Sequence, residues 1–212
     1  IKDSQFINNS VRSNTKADGG AILWDKANIE ATIDNCTFDG NYITTSATIK
    51  DKPWVQGGAI YARPDGGKLV INNSEFRNCW SIREAGALYL DSSNTLGIYV
   101  LNTKFINNTA TGNGGAIYLL NHGKTSQVCE MSIEDVTFEN NTAASGNDIF
   151  IAPSAGNNVF ANLTDLTITA NSKNVTELSD IITVTVSHPS GAIIGGGQVT
   201  FYFDGNVVGK LI

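Results

Sequence analysis

With 212 residues, a formal charge of −6 and an isoelectric point near 4.8, the chain lacks the basic surface that nucleic acid requires, and no Lys/Arg cluster interrupts it. No apolar stretch reaches the length of a membrane span, so no membrane insertion is expected in this segment. Ile1 stands first without an initiator Met or a signal peptide, which suggests a piece of something longer. Cys36, Cys79 and Cys129 form an odd set with no metal-ligand spacing, so they read as small buried thiols, with no metal or cofactor expected.

Five copies of one phrase follow, Phe-x-x-Asn and then Gly-Gly-Ala-Ile-Tyr. The phenylalanines are Phe6, Phe38, Phe76, Phe105 and Phe138, at intervals of 32, 38, 29 and 33 residues. Gly20-Ala21-Ile22, Gly58-Ala59-Ile60, Gly86-Ala87-Leu88 and Gly115-Ala116-Ile117 answer the first four, and Gly146-Asn147-Asp148-Ile149-Phe150 is a degenerate fifth. A period of this size marks a solenoid whose units bury an apolar face only by stacking on one another.

Alignment on the phenylalanines defines columns. Five residues earlier stand Ile1, Ile33, Ile71, Val100 and Ile133; two earlier stand the mostly small Ser4, Cys36, Ser74, Thr103 and Val136. Both columns are expected to share the inward face with the phenylalanines, and strict alternation cannot achieve that without a bend between them. The bend falls on Asp3, Asn35, Asn73, Asn102 and Asp135, residue types that tolerate the left-handed conformation. A second polar column, Asn9, Asn41, Cys79, Asn108 and Asn141, predicts an amide ladder along the axis.

In the Gly-Ala-Ile strands, Ile22, Ile60, Leu88, Ile117 and Ile149, with Trp24, Ala62, Leu90, Leu119 and Ile151, are assigned inward. Leu23, Tyr61, Tyr89, Tyr118 and Phe150 between them then face out, the rival assignment being rings in the core with their hydroxyls partnered. Helical periodicity is absent, so the fold expected is all-β, a right-handed parallel β-helix with three strands per coil. Insertions leave as loops, the largest between Phe38 and Ala59 carrying Lys52, Pro53 and Trp54. The third coil, with Cys79 for the ladder Asn and Ala85 for the first Gly, is expected to have an altered corner.

The phrase stops near Asn171. The expected division is a β-helix over 1–172, a linker over 173–179 and, over 180–212, the first part of a β-sandwich too short to be complete. Asp204-Gly205 between apolar runs is a hairpin signal. The repeats resemble those of polymorphic outer-membrane proteins and, more closely, adhesin-like surface proteins of methanogenic archaea. The segment from Gly197 to Gly205 resembles the start of a bacterial-type Ig-like repeat. That resemblance implies an extracellular, cell-surface adhesin segment binding a glycan or protein of another cell. The ligand stays open, because repeats of this kind define a scaffold.

Candidate contacts for such a partner are the outward Tyr61, Tyr89 and Tyr118 and the loop residue Trp54. A polysaccharide lyase or glycoside hydrolase is the alternative, since β-helices also carry those enzymes. It is disfavoured because Asp25, Asp65 and Asp91 are scattered and His122 stands alone in a loop. A purely structural stalk or cell-wall spacer is the third reading, and ice binding is disfavoured by the lack of an in-register Thr column. Seven Asn-x-Ser/Thr sequons occur, at Asn8, Asn35, Asn72, Asn107, Asn140, Asn162 and Asn174. If the corner amides point inward, Asn162 and Asn174 are the favoured glycan acceptors.

Overall fold

A computed structural model describes residues 1–25, 28, 30–46, 54–91, 97–120, 128–152, 158–163, 167–170, 184–187, 199–203 and 206–211. The repeat region forms a parallel β-helix whose coils stack in register. Phe6 pairs with Phe38, Phe38 with Phe76, Phe76 with Phe105 and Phe105 with Phe138.

Four walls run along the stack. A long wall contains Glu30–Asp34, Lys68–Asn72, Gly97–Leu101, Val128–Glu134 and Asn158–Leu163. The phenylalanine wall contains Gln5–Ile7, Thr37–Asp39, Glu75–Arg77, Lys104–Ile106 and Thr137–Glu139. The glycine wall, which precedes the long wall in chain order, contains Ile22–Asp25, Ile60–Arg63, Leu88–Asp91, Ile117–Leu120 and Ile149–Ile151. The fourth is a short wall of Ser10–Arg12, Tyr42–Thr44, Trp80–Ser81 and Thr109–Ala110. The expectation of three strands per coil is thus corrected. These short strands run two or three residues, too few for an alternating pattern to register.

The core is the space the long, phenylalanine and glycine walls enclose. Phe38, Phe76 and Phe105 are wholly buried and stack with centroids 4.5 and 5.1 Å apart, with Phe6 and Phe138 at the ends of the column. Ile33, Ile71, Val100 and Ile133 line the long wall, and Ile60, Leu88, Ile117 and Ile149 the glycine wall, as the column reading expected. Ile1 departs from its column and is exposed.

The bend between the long and phenylalanine walls lies where the Asn/Asp column places it. Asp3, Asn35, Asn73, Asn102 and Asp135 have φ of 49, 52, 49, 45 and 52°. The small column after it is polar for a reason: the hydroxyls of Ser4, Ser74 and Thr103 donate to the carbonyl two residues back, at 2.7, 2.8 and 2.7 Å. Each such contact adds a local donor to a corner carbonyl; those of Asn72 and Leu101 also accept the Asn35 and Asn73 N–H of the adjacent coil, both at 3.2 Å. A second left-handed corner follows the phenylalanine, at Asn8, Gly40, Asn78, Asn107 and Asn140. Its signal, a column made only of Asn and Gly, was present in the sequence one residue before the amide ladder.

The ladder itself is buried. Asn108 Nδ2 donates to Asn141 Oδ1 at 3.0 Å and to the Phe76 carbonyl at 2.9 Å, while Asn108 Oδ1 accepts the Cys79 backbone N–H at 3.0 Å. Asn9 and Asn41 repeat the contact in the first coils, at 2.9 Å. At Cys79 the thiol substitutes for the amide: its one hydrogen has the Arg77 carbonyl at 3.4 Å and the Phe38 carbonyl at 3.6 Å as acceptors, the sulfur faces the Asn41 donors, and burial pushes its pKa up to about 12. The altered corner expected in this coil is not found. Ala85 holds φ 59°, beside 78° for Gly57 and 73° for Gly114, and the bonds Gly58 N–H to Ala85 O and Ala85 N–H to Asn113 O keep the register.

The second glycine of each pair answers to crowding. A Cβ on Gly58 would lie 2.0 Å from the Gly86 carbonyl oxygen, and one on Gly86 2.1 Å from that of Gly115. In the fifth coil this place is taken by Asn147, and among the described residues no further strand of the glycine wall stacks on Ile149–Ile151, so a side chain is accommodated. Beyond the stack, Thr167–Ala170 pairs antiparallel with Val184–Ser187, and Val199–Phe203 with Asn206–Leu211. The expected linker at 173–179 and the turn at Asp204-Gly205 lie outside the described residues.

Two outcomes test this packing. Phe76→Ala removes a ring stacked on both sides and should cost about 3–5 kcal/mol in denaturant unfolding. Cys79→Asn should restore the amide ladder and raise stability by about 1 kcal/mol; a lower midpoint would show that the thiol suits this coil better than an amide.

Candidate functional site

The outer face of the glycine wall carries the aromatic column. Strand alternation sends Ile60 and Ala62 into the main core and Tyr61 to the other side. Tyr61, Tyr89, Tyr118 and Phe150 stack with centroids 5.2, 4.9 and 5.3 Å apart. The assignment to the side away from the core therefore holds, but the exposure expected of the stripe does not. Tyr61 and Tyr89 are only 4% and 2% accessible and form a second cluster with Ala85, against which Tyr118 and Leu120 pack. A flat sugar laid along three bare rings is not what this surface presents. Leu23, at the foot of the column, is exposed.

Ionisable groups surround the rings. Arg63 Nε donates to Asp25 Oδ1 at 2.6 Å. Lys16 Nζ bonds Asp18 at 2.8 Å and stands 6.0 Å from the Tyr61 ring centroid. Burial raises the Asp18 pKa despite that lysine, and its Oδ1 has no hydrogen-bond partner among the described residues. Glu84 is likewise raised by burial while accepting the Asn113 N–H at 2.8 Å. Asp91 is buried in the same neighbourhood and its charge adds to the shift of Tyr61 and Tyr89. Among the described residues no three His, Cys, Asp or Glu side chains are grouped to hold a metal ion.

Trp54 stands apart from the column. It opens the strand Trp54–Gln56, which pairs with Lys16–Asp18 between the short and glycine walls. Its ring is 55% exposed, with the Arg83 guanidinium 5.4 Å from the centroid. A half-open indole beside a cation is a surface suited to contact, and Arg83 is a partner the sequence reading missed because the two residues belong to different coils. His122 and the loop residues Lys52 and Pro53 lie outside the described residues, as does Asn174. Asn162 falls in the strand Asn158–Leu163.

One cavity of about 440 Å³ opens where the core columns begin, lined by Ile1, Ile22, Trp24, Ala31, Ile33 and Leu69. Core positions such as Ile33 and Leu69 line it together with the exposed Ile1, Glu30 and Thr32, and it brings together none of the candidate contacts.

Residues 102–119 match the model of the Chlamydia polymorphic membrane protein repeat. That stretch runs from the Asn102 corner through Phe105 and Asn108 to the glycine-wall strand of the fourth coil, so the matched unit is one three-sided portion of a coil. No curated protein and no solved structure matches the chain significantly. The chain is thus an all-β, parallel β-helical repeat protein bearing a repeat of the polymorphic-membrane-protein type. No helix among the described residues is long and apolar enough to cross a membrane.

Burial holds the phenols of Tyr61 and Tyr89 well above the ordinary value and that of Tyr118 up to about 12, against 10.0 for a free phenol. An unfolded chain gives up these protons near pH 10 while the folded one keeps them. Their contribution to stability is therefore complete below pH 10 and is lost as pH rises through about 12. In an alkaline titration, three of the six tyrosines should yield phenolate absorbance only together with loss of the folded circular dichroism signal. Early ionisation of all six in the folded state would mean that the column is open to water.

Proposed function

We propose that the chain is a segment of a cell-surface adhesin, a stiff β-helical rod that displays contact residues to a glycan or protein of another cell. The observation that carries this reading is the polymorphic-membrane-protein repeat at residues 102–119, seated in a stack whose coils share continuous backbone and side-chain ladders. The repeat family takes its name from membrane proteins, and a cell-surface setting is what it supports here. No catalytic step is assigned to the segment.

Burial moves the proposed contact point. Tyr61 and Tyr89 serve as a rigid base, while Trp54 with Arg83, and the half-buried Tyr118, offer surface to a partner. An indole with a neighbouring guanidinium suits the apolar face and hydroxyls of a sugar ring, or an aromatic or acidic side chain of a protein. The Ig-like reading of residues 180–212 belongs to the same proposal, as a spacer that sets the rod away from its attachment.

Surface exposure is tested by antibody labelling of intact cells, and binding by a glycan and whole-cell screen with this segment. Trp54→Ala should weaken binding about tenfold, equivalent to about 1.4 kcal/mol, with melting unchanged because the ring is exposed. Surface labelling without any ligand in the screen would leave a structural spacer as the better description.

A further inference from the structure

The second left-handed corner separates the sequons into two groups. Asn8, Asn107 and Asn140 sit at that corner with φ of 54, 54 and 52°, and all three are exposed. The corner turns each of them outward and sends the following residue toward the core; Asn108 and Asn141, the middle residues of two sequons, are the buried ladder amides. The premise that inward amides disqualify the corner sequons therefore applies to the wrong residue of each triplet. No described residue accepts a hydrogen bond from the Asn8, Asn107 or Asn140 amide.

The other two sequons with described side chains differ. Asn35 donates its amide to Asp3 Oδ1 at 2.7 Å. Asn72 is a half-buried strand residue that donates to Asp34 at 3.3 Å and accepts from Asn102 at 3.1 Å. Glycosylation there would break an inter-coil bond. At the second corner the hydroxyl that completes each sequon is also on the surface: Ser10 is exposed, and the Thr109 and Thr142 hydroxyls meet in an exposed contact of 3.0 Å. Asn8 Oδ1 lies against Gly40 of the next coil, where a Cβ would come within 2.3 Å of it, so that coil leaves the amide room because the residue there is glycine.

We propose that Asn8, Asn107 and Asn140 are N-glycosylation acceptors and that Asn35 and Asn72 are not. In the transfer, the amide Nδ2 bonds to the anomeric carbon of the sugar as that carbon's bond to the phosphate oxygen of a polyprenyl-linked oligosaccharide breaks. The lipid phosphate leaves with the electron pair, and the amide loses one proton. Asn107 and Asn140 follow the paired residues Ile106 and Glu139 of adjacent coils, so they stand about 4.8 Å apart, and a glycan on one shields the other. This inference rests on the export contained in the proposed function.

The test is glycopeptide mapping, with fragmentation that keeps the sugar attached, of the full protein isolated from the organism that encodes it, alongside cell fractionation. The expected result is a surface-located protein with a glycan on Asn8 and on one of Asn107 or Asn140. Asn140→Gly together with Asn107→Gly keeps the left-handed corner and should abolish the increment at that pair without changing the melting temperature. Thr109→Ala with Thr142→Ala should do the same while leaving both asparagines in place. A surface-located protein unmodified at all three positions, or one glycosylated on Asn35 or Asn72, overturns the proposal but not the adhesin reading. Recovery only from the cytoplasm overturns both.

Discussion

In-register parallel stacking is the constraint on which everything else in this chain depends. Each coil is bonded to the next through its backbone, so nearly every side chain has the same column position above and below it at one strand spacing. A column survives only if its members tolerate one another at that distance. Phenylalanine rings do so by stacking, and amides by bonding through donor and acceptor at once. Charged columns succeed by alternating sign: Asp25 lies beside Arg63, Asp39 beside Arg77, Glu30 beside Lys68 and Glu75 beside Lys104. Like charges in those pairs would repel along the whole stack.

The same constraint explains why the corners are chemically narrow. A coil must turn within one or two residues at each corner, and the left-handed conformation makes that turn at a cost that Asn and Asp offset by local hydrogen bonds. Where Asn corner residues also reach the coil before them, as Asn35 reaches Asp3 and Asn78 reaches Asp39, the turn becomes another inter-coil bond. Ala85 shows that a strained corner survives without glycine when its neighbours hold the register on both sides. The second glycine of each pair has no such latitude, because the obstacle is the carbonyl oxygen of the adjacent coil.

The candidate site shows a different limit. Period-two alternation correctly sent Tyr61, Tyr89 and Tyr118 to the face opposite Ile60, Leu88 and Ile117. It carried no information on whether that face would meet water. Ala85, from the corner, joins the buried cluster, and Leu120, on the same strand face as Tyr118, packs against it; the Ala85 contact lies outside the alternation of any one strand. Trp54 was legible as a loop aromatic, but its pairing with Arg83 arises only because residues from separate coils converge on one edge.

By itself, the sequence determined the coil count, the inward columns, the first left-handed corner and the amide ladder, because each is a repeated choice that stacking amplifies into a pattern. Tertiary structure alone decided the short fourth wall, the burial of Tyr61 and Tyr89, the undisturbed corner at Ala85 and which asparagine of the second-corner sequons faces solvent. Those features turn on contacts between residues of unlike columns, and a repeat reveals what each column shares with itself, not what lies across the corner from it.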